Sequence, residues 1–342
     1  VLRLLNYGLP GLRSAGERAA EAFSPNELAA SPLALHAPPA DLSGDVDASS
    51  ENDWRETSPD GDLHLLERPW PGLHAPLYLA GHATSSLDVA QALAHRNLLP
   101  EWGAVLVLAQ SAGRGQLRRA WASPPGNIYA ALRLPTAWPL NTEAAATAVG
   151  GLFASALTQL GYAVSLKWPN DILQVQNEEF STSPDGVSVR PCSATAWVKA
   201  GGILLEERPL PPHRETPAEN LLVAGIGLNL VSSPPAALMR AQRAVPAGLL
   251  SSATKSNGSP LSVAGLWMRL VSRIFFCYVE EIDAKGKTAW RSLAERHLAF
   301  LGQTVLLTDG PDEQERHTGI LEGLDDFGGL RLRNRKGTNS FL

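Results

Sequence analysis

The chain has 342 residues, 44% of them hydrophobic and 18% charged, with a net charge of −5. That is enough for a packed core in one large domain or two, and the acidic balance argues against a protein whose main task is gripping long nucleic acid. The two cysteines, Cys192 and Cys277, stand far apart with no CxxC or Cys/His cluster, which excludes a zinc site or disulfide framework as the organising element and reads as a reducing compartment. No apolar run approaches the roughly 20 residues that span a membrane, and the opening residues lack a sustained apolar core and cleavage site. A cytoplasmic protein with no membrane partner is expected. The start at Val1 and the ending "GTNSFL" read as the ends of a fragment.

Residues 1–70 read as a variable segment, linker-like or disordered, without a helix-turn-helix. Its stretch 41–62 carries eight acidic residues and one basic residue, a balance that buries little. Order is expected from Pro71 onward. "PLYLAGHA" reads as a strand and "SSLDVAQALAHRN" as a helix, with Ser85 and Asp88 spaced as a capping box and Leu87, Ala90 and Ala94 on one face. "GAVLVLAQ" and "NIYAALRL" read as buried strands. "NTEAAATAVGGLFASALTQLGY" reads as a helix capped by Asn141 and ended by Gly161. "AVSLKWPNDIL", "WVKAGGILLEE" and "LLVAGIGLNL" are apolar strands with polar ends, and residues 174–195 form a polar insertion between the first two. Residues 261–283 and "KTAWRSLAERHLAFLG" read as helices. The last 40 or so residues read as short strands of a small barrel or meander. One main domain is therefore expected over 71–295 and a small C-terminal β domain over 296–342.

Four stretches carry polar groups suited to chemistry. In "QSAGRGQLRRAWASPPGN" (110–127), Gly113 and Gly115 permit close backbone approach, and Arg114, Arg118 and Arg119 offer forked donors for phosphate oxygens. The spacing is not that of a Walker loop. "KWPNDI" places Lys167, Asn170 and Asp171 at a strand end, "KAGGIL" sets Lys199 before Gly201, and "GIGLN" ends on Asn229. Each has a plainer reading: helix caps for Ser85 and Ser86, a core anchor for Trp121, solvated side chains for Lys167 and Arg118, and a turn residue for Asp171. The histidines His74, His82, His95 and His297 show no partner spacing.

In this order, "GRG…RRAW.SP.GN", "KWPNDI", "K.GGIL.E" and "GIGLN" resemble the biotin–protein ligases, over roughly residues 76–232. The resemblance implies an α+β fold, with a mixed, largely antiparallel sheet of the class II synthetase-like type and a small C-terminal SH3-like barrel. It implies activation of biotin by ATP and Mg2+ to biotinyl-5'-AMP, then transfer to a lysine on the biotin carboxyl-carrier domain of a carboxylase. Arg114 and Lys199 would be catalytic. Biotin would meet Ser85, Ser86, Gln110, Arg114, Gly115, Gln116, Trp121, Lys199 and Gly201. ATP and the adenylate would meet Arg114, Arg119, Lys167, Asn170, Asp171 and Asn229, with Asp171 also a ligand for Mg2+. A homodimer is compatible with the family, and the acidic N-terminus predicts no DNA partner. Gln116 and Arg118 depart from the arginine and glycine that the family often has there. Two other activities remain open on the sequence: a lipoyl or octanoyl ligase of the same fold, and a non-catalytic biotin-sensing repressor.

Overall fold

The computed structural model describes residues 1–6, 8–11, 18–35, 54–59, 63–70, 72–116, 119–176, 196–212, 219–235, 245–251, 262–309, 315–335 and 337–341. Before Pro71 lie β1 (Leu2–Leu4), β2 (Leu9–Pro10), β3 (Arg18–Ala20), the short helix α1 (Pro25–Ala29), β4 (Arg55–Thr57) and β5 (Leu65–Arg68). Next come β6 (Leu77–Ala83), α2 (Ser86–His95), β7 (Ala104–Gln110), β8 (Ile128–Leu134), α3 (Ala145–Gln159), β9 (Val164–Lys167), β10 (Asp171–Gln176), β11 (Ala196–Pro209) and β12 (Asn220–Leu228). Helix α4 (Val263–Cys277) runs on into a π-helical stretch, Tyr278–Asp283, and α5 (Ala289–His297) precedes the tail. The tail holds β13 (Thr304–Asp309), β14 (Glu315–Leu324), β15 (Leu330–Asn334) and β16 (Gly337–Phe341).

The fold is α+β. Its main sheet has 12 strands, with the long path β4-β5-β1-β6-β7-β8-β12-β11-β10-β9. Strand β6 pairs parallel with β1 and β7, whereas β7–β8, β8–β12, β12–β11, β11–β10 and β10–β9 are antiparallel. Alternation along the central strands feeds two cores. Leu79, Leu106, Ala130 and Ile226 face the core shared with α3 and α4. Tyr78, Val105, Val107, Tyr129 and Val223 face the one shared with α2. A strand buried on both faces reads as a continuous apolar run, which is why β7, β8 and β12 are legible.

The reading of residues 1–70 as linker-like does not hold for the described part. Leu2 and Leu4 are fully buried, β1 extends the sheet beside β6, and Phe23, Leu28 and Leu33 join the core. Three-residue strands leave little imprint on composition averaged over 70 residues. Much of the acidic stretch, residues 41–53, lies outside the described residues, as do Arg118 and residues 177–195 of the polar insertion. The expected cap of α3 also differs. Helix α3 starts at Ala145 after Ala144 with no side-chain cap, Thr142 Oγ1 accepts from Ala144 N–H, and Asn141 stands outside the helix. Gly161 does end it, at φ +89.

The tail strands form an antiparallel meander in the order β13-β14-β15-β16. Among the described residues no pairing of β13 with β16 closes it into the expected SH3-like barrel. It packs on the main body where Trp168 Nε1 donates to the Gly328 carbonyl at 2.7 Å and Glu295 accepts from Leu324 N–H at 2.8 Å.

Candidate active site

The site lies on the α2 side of the sheet and begins as a floor without side chains. Gly202 and Gly227 face each other across β11 and β12, and Gly225 lies two residues away on β12. Leu87 of α2 covers Gly225, and the Trp121 indole lies on Gly227 so closely that a Cβ there would come within 2.6–2.7 Å of the ring. A Cβ on Gly202 would stand 3.4 Å from the same ring and 3.5 Å from Lys199 Cε.

Lys199 reaches this face through a β-bulge. Strict alternation would place it with Ile203, which packs on the opposite core. Between Ile172 and Leu173 on β10, however, β11 advances from Gly201 to Lys199, so Ala200 is one extra residue. A bulge of this kind re-aims the preceding side chain. The Lys199 ammonium then lies 5.5 Å from the centre of the Trp121 ring, the distance of a cation–π contact. It also pairs with Oδ1 of Asp171, while Lys167 Nζ donates to Oδ2 at 3.0 Å. Burial pushes the Asp171 carboxyl up, but the two ammonium groups outweigh it and hold it below the usual carboxylate range. Two cations around one carboxylate leave a surplus positive charge.

Trp121 belongs to a narrow hairpin. Trp121 N–H donates to Gly113 O at 2.8 Å, Arg114 bridges Ala120, and Gly115 N–H donates to Arg119 O at 2.8 Å. At its base is a polar group. Gln110 accepts from Ser86 N–H at 2.8 Å and donates to Ser123 Oγ at 2.8 Å, and Ser86 Oγ donates to Ala130 O at 3.0 Å. Ser85 Oγ caps α2 by accepting from Asp88 N–H at 3.1 Å. Ser85, Ser86 and Gln110 thus come together, with the capping role expected of Ser85.

Arg114 does not join the lysines. Its Nη1 donates to both Asp88 oxygens at 3.0 and 3.1 Å, and its Nε donates to Glu206 Oε1 at 3.1 Å. Arg208 touches Glu206 at 3.4 Å from a half-exposed position. Burial pushes the Asp88 carboxyl up, but the Thr84 and Ser85 hydrogen bonds and the Arg114 charge hold it low. Gln116 and Arg119 are exposed on the hairpin. Both expected adenylate-binding asparagines hold backbone. Asn170 Nδ2 donates to Ile203 O and its backbone carbonyl accepts from Ile203 N–H at 3.0 Å. Asn229 Nδ2 donates to Gly248 O at 3.1 Å, fixing residues 246–250 along β11 at Lys199. Gly201 sits against Leu228 and the Gly227 carbonyl, which leave no space for a Cβ.

Sequence reasoning missed Asp88 as a charge partner, Glu206, Ser123 and Asn127. Asn127 Oδ1 accepts from Leu230 and Val231 N–H at 2.8 and 2.9 Å, closing the loop after β12. The one signal for it was its place in "PPGN", where a buried amide after a glycine has backbone to hold.

The model of the biotin/lipoate A/B protein ligase family matches residues 85–187, which carry the hairpin, α2 and the Lys167–Asp171 turn. A biotin–[acetyl-CoA-carboxylase] ligase of Paracoccus denitrificans is 29% identical over 244 residues, 68% of this chain and 85% of that protein. Over residues 85–187 the chain is thus similar to the biotin/lipoate A/B protein ligases. A bifunctional ligase/repressor of Bacillus spizizenii is 38% identical over 97 residues, 26% of this chain and 28% of that protein. The fold is that of a biotin protein ligase from Aquifex aeolicus solved with biotin and ATP, at TM-score 0.53, 21% identity and coverage of 78% of this chain and 95% of that one.

The expected Mg2+ ligand, Asp171, does not fit that role in this chain. Both of its oxygens are held by ammonium groups, and among the described residues no cluster of three His, Cys, Asp or Glu side chains forms. A divalent cation wants several oxygen ligands and no adjacent cations. Among the described residues no helix is long and apolar enough to cross a membrane.

Proposed function

We propose that the chain is an ATP-dependent biotin–protein ligase. It activates biotin to biotinyl-5'-AMP and passes the biotinyl group to a lysine of a biotin carboxyl-carrier domain, in the cytoplasm. The observation that carries this is the cation-rich cluster, Lys199 and Lys167 around Asp171, set beside a glycine floor that Trp121 covers. The first step joins two anions. A biotin carboxylate oxygen attacks the α-phosphorus of ATP, the bond to pyrophosphate breaks, and charge builds on the phosphoryl oxygens. A fixed ammonium at that point stabilises the developing charge without reorganisation. We assign this to Lys199, placed by the bulge at Ala200 and by its carboxylate partner, with Lys167 as the outer cation.

The same site serves the second step. The carrier amine attacks the acyl carbon and the bond to AMP breaks, so the leaving phosphate faces the same ammonium. The Ser86–Gln110–Ser123 group and Ser85 supply the donors and acceptors that a neutral ureido ring requires, and Trp121 supplies an apolar cover. No step is assigned to a metal held by Asp171.

The test is ATP–pyrophosphate exchange with biotin and lipoate supplied separately. Exchange with biotin alone is the expected result. Exchange with lipoate alone would keep the chemistry and overturn the substrate, and no exchange with either acid would sink the ligase reading.

A further inference from the structure

Arg114 is the residue from which the motif leads one to expect a phosphate contact, yet its guanidinium is already committed. Nη1 donates to Asp88, while Nε and Nη2 face Glu206 at 3.1 and 3.5 Å. The three side chains are 23%, 14% and 18% exposed, so the cluster is mostly shielded from water. Asp88 sits in the first turn of α2 and Glu206 on β11. One side chain of the hairpin therefore ties it to a helix and to the sheet at once. A phosphate approaching Arg114 would meet two carboxylates on the same nitrogens. Charge-assisted forked pairs are the strongest polar contacts available to hold a loop.

We infer that Asp88 and Glu206 are positioning residues that latch the 110–123 hairpin over the glycine floor through Arg114, and that Arg114 acts by this latch and not by touching phosphate. The pairing Arg114–Ala120 sets Trp121 one residue beyond the latched position, so the latch fixes where the indole lies. Its effect on turnover rests on the ligase reading; the latch itself rests on the geometry alone.

The first readout uses the full chain without ligand. Trypsin cleavage after exposed Arg119, followed by mass spectrometry, reports opening of the hairpin. Asp88→Asn and Glu206→Gln should each cleave about tenfold faster, as expected when a charged contact no longer opposes local opening. Asp88→Glu, which keeps the carboxylate, should stay near the wild-type rate. Melting temperatures confirm that the variants remain folded. Unchanged cleavage in both neutral variants overturns the latch.

The second readout is exchange kinetics over Arg114→Gln, Glu206→Gln and the double variant. The latch predicts a double variant no worse than Arg114→Gln, with the loss in KM for biotin and KM for ATP unchanged. Additive losses, or a lower KM for ATP in Glu206→Gln, would mean that Arg114 contacts phosphate and would overturn the inference. Should the wild-type chain show no exchange with biotin, the ligase reading fails while the cleavage rates still decide the latch.

Discussion

Two charge clusters stand on one face of β11, and they are built inversely. At one, Lys199 and Lys167 surround a single carboxylate, Asp171. At the other, Asp88 and Glu206 surround a single guanidinium, Arg114. Strand rise separates Lys199 from Glu206 by roughly 20 Å. The first cluster retains a positive charge and can receive an anion. The second offers an anion nothing, since its cation is spent on protein carboxylates and Arg208 adds only an outer contact at 3.4 Å. The contrast teaches that an arginine in a glycine loop is not by itself a phosphate site. Its partners, far off in sequence, decide whether it binds ligand or holds structure.

The largest effect should come from emptying the cation-rich cluster. Lys199→Ala is expected to lower exchange at least about a hundredfold, the scale on which removing one preorganised stabilising donor acts, in a chain that stays folded but melts lower because Asp171 loses its main partner. Lys167→Ala should cost far less, because its side chain is 40% exposed and water screens it. Equal losses in the two variants would break the division between inner and outer cation.

The floor between the clusters gives the next effect. Gly227→Ala puts a methyl where the indole of Trp121 lies, within 2.6–2.7 Å, whereas Gly202→Ala makes an ordinary contact at 3.4 Å. The first should displace the ring, at about 1–3 kcal/mol of overpacking, and lower exchange about tenfold. The second should stay close to wild type in both melting and exchange. If the two alanines behaved alike, Trp121 would not rest on Gly227 in the working enzyme.

Asn170→Ala sharpens the comparison from the scaffold side. Its side-chain amide helps fix the turn carrying Lys167 and Asp171 to Ile203, and losing that bond should leave the Ile203 carbonyl unpaired and cost about 1–3 kcal/mol of stability in urea unfolding. It should also slow exchange while leaving trypsin cleavage after Arg119 unchanged, because the other cluster does not depend on that turn. Faster cleavage would mean the two clusters are mechanically joined.

Much of the first cluster is legible in the order of residues alone. The apolar runs of β7, β8 and β12 announce central strands, and "KWPNDI" and "KAGGIL" mark the strand ends that carry the two lysines and Asp171. What stays hidden is geometric. The bulge at Ala200 has no signature in "VKAGGIL", yet it decides which face Lys199 serves. Arg114 meets partners 26 and 92 residues away, which no local spacing reveals. Asn170 and Asn229 read as ligand groups because short polar side chains at strand ends look the same whether they bind a nucleotide or a backbone carbonyl. Leu2 and Leu4 are lost in a segment whose composition is set by its acidic and proline-rich parts.

The smallest effect concerns pH. Burial raises Asp171 and its lysines lower it, and the lysines prevail. The folded carboxyl therefore lies below its unfolded value of about 4. A depressed carboxylate contributes stability that is complete above the unfolded value and disappears as pH falls through the folded one. Asp171→Asn should accordingly be less stable than wild type by a constant margin from pH 7 to pH 5, and the margin should narrow only below about pH 4. Urea midpoints across that range would show it. A margin that shrank between pH 7 and pH 5 would place the carboxyl's titration near neutrality. Burial would then outweigh the two ammonium groups, and the surplus charge that separates this cluster from the one at Arg114 would not be held as the geometry implies.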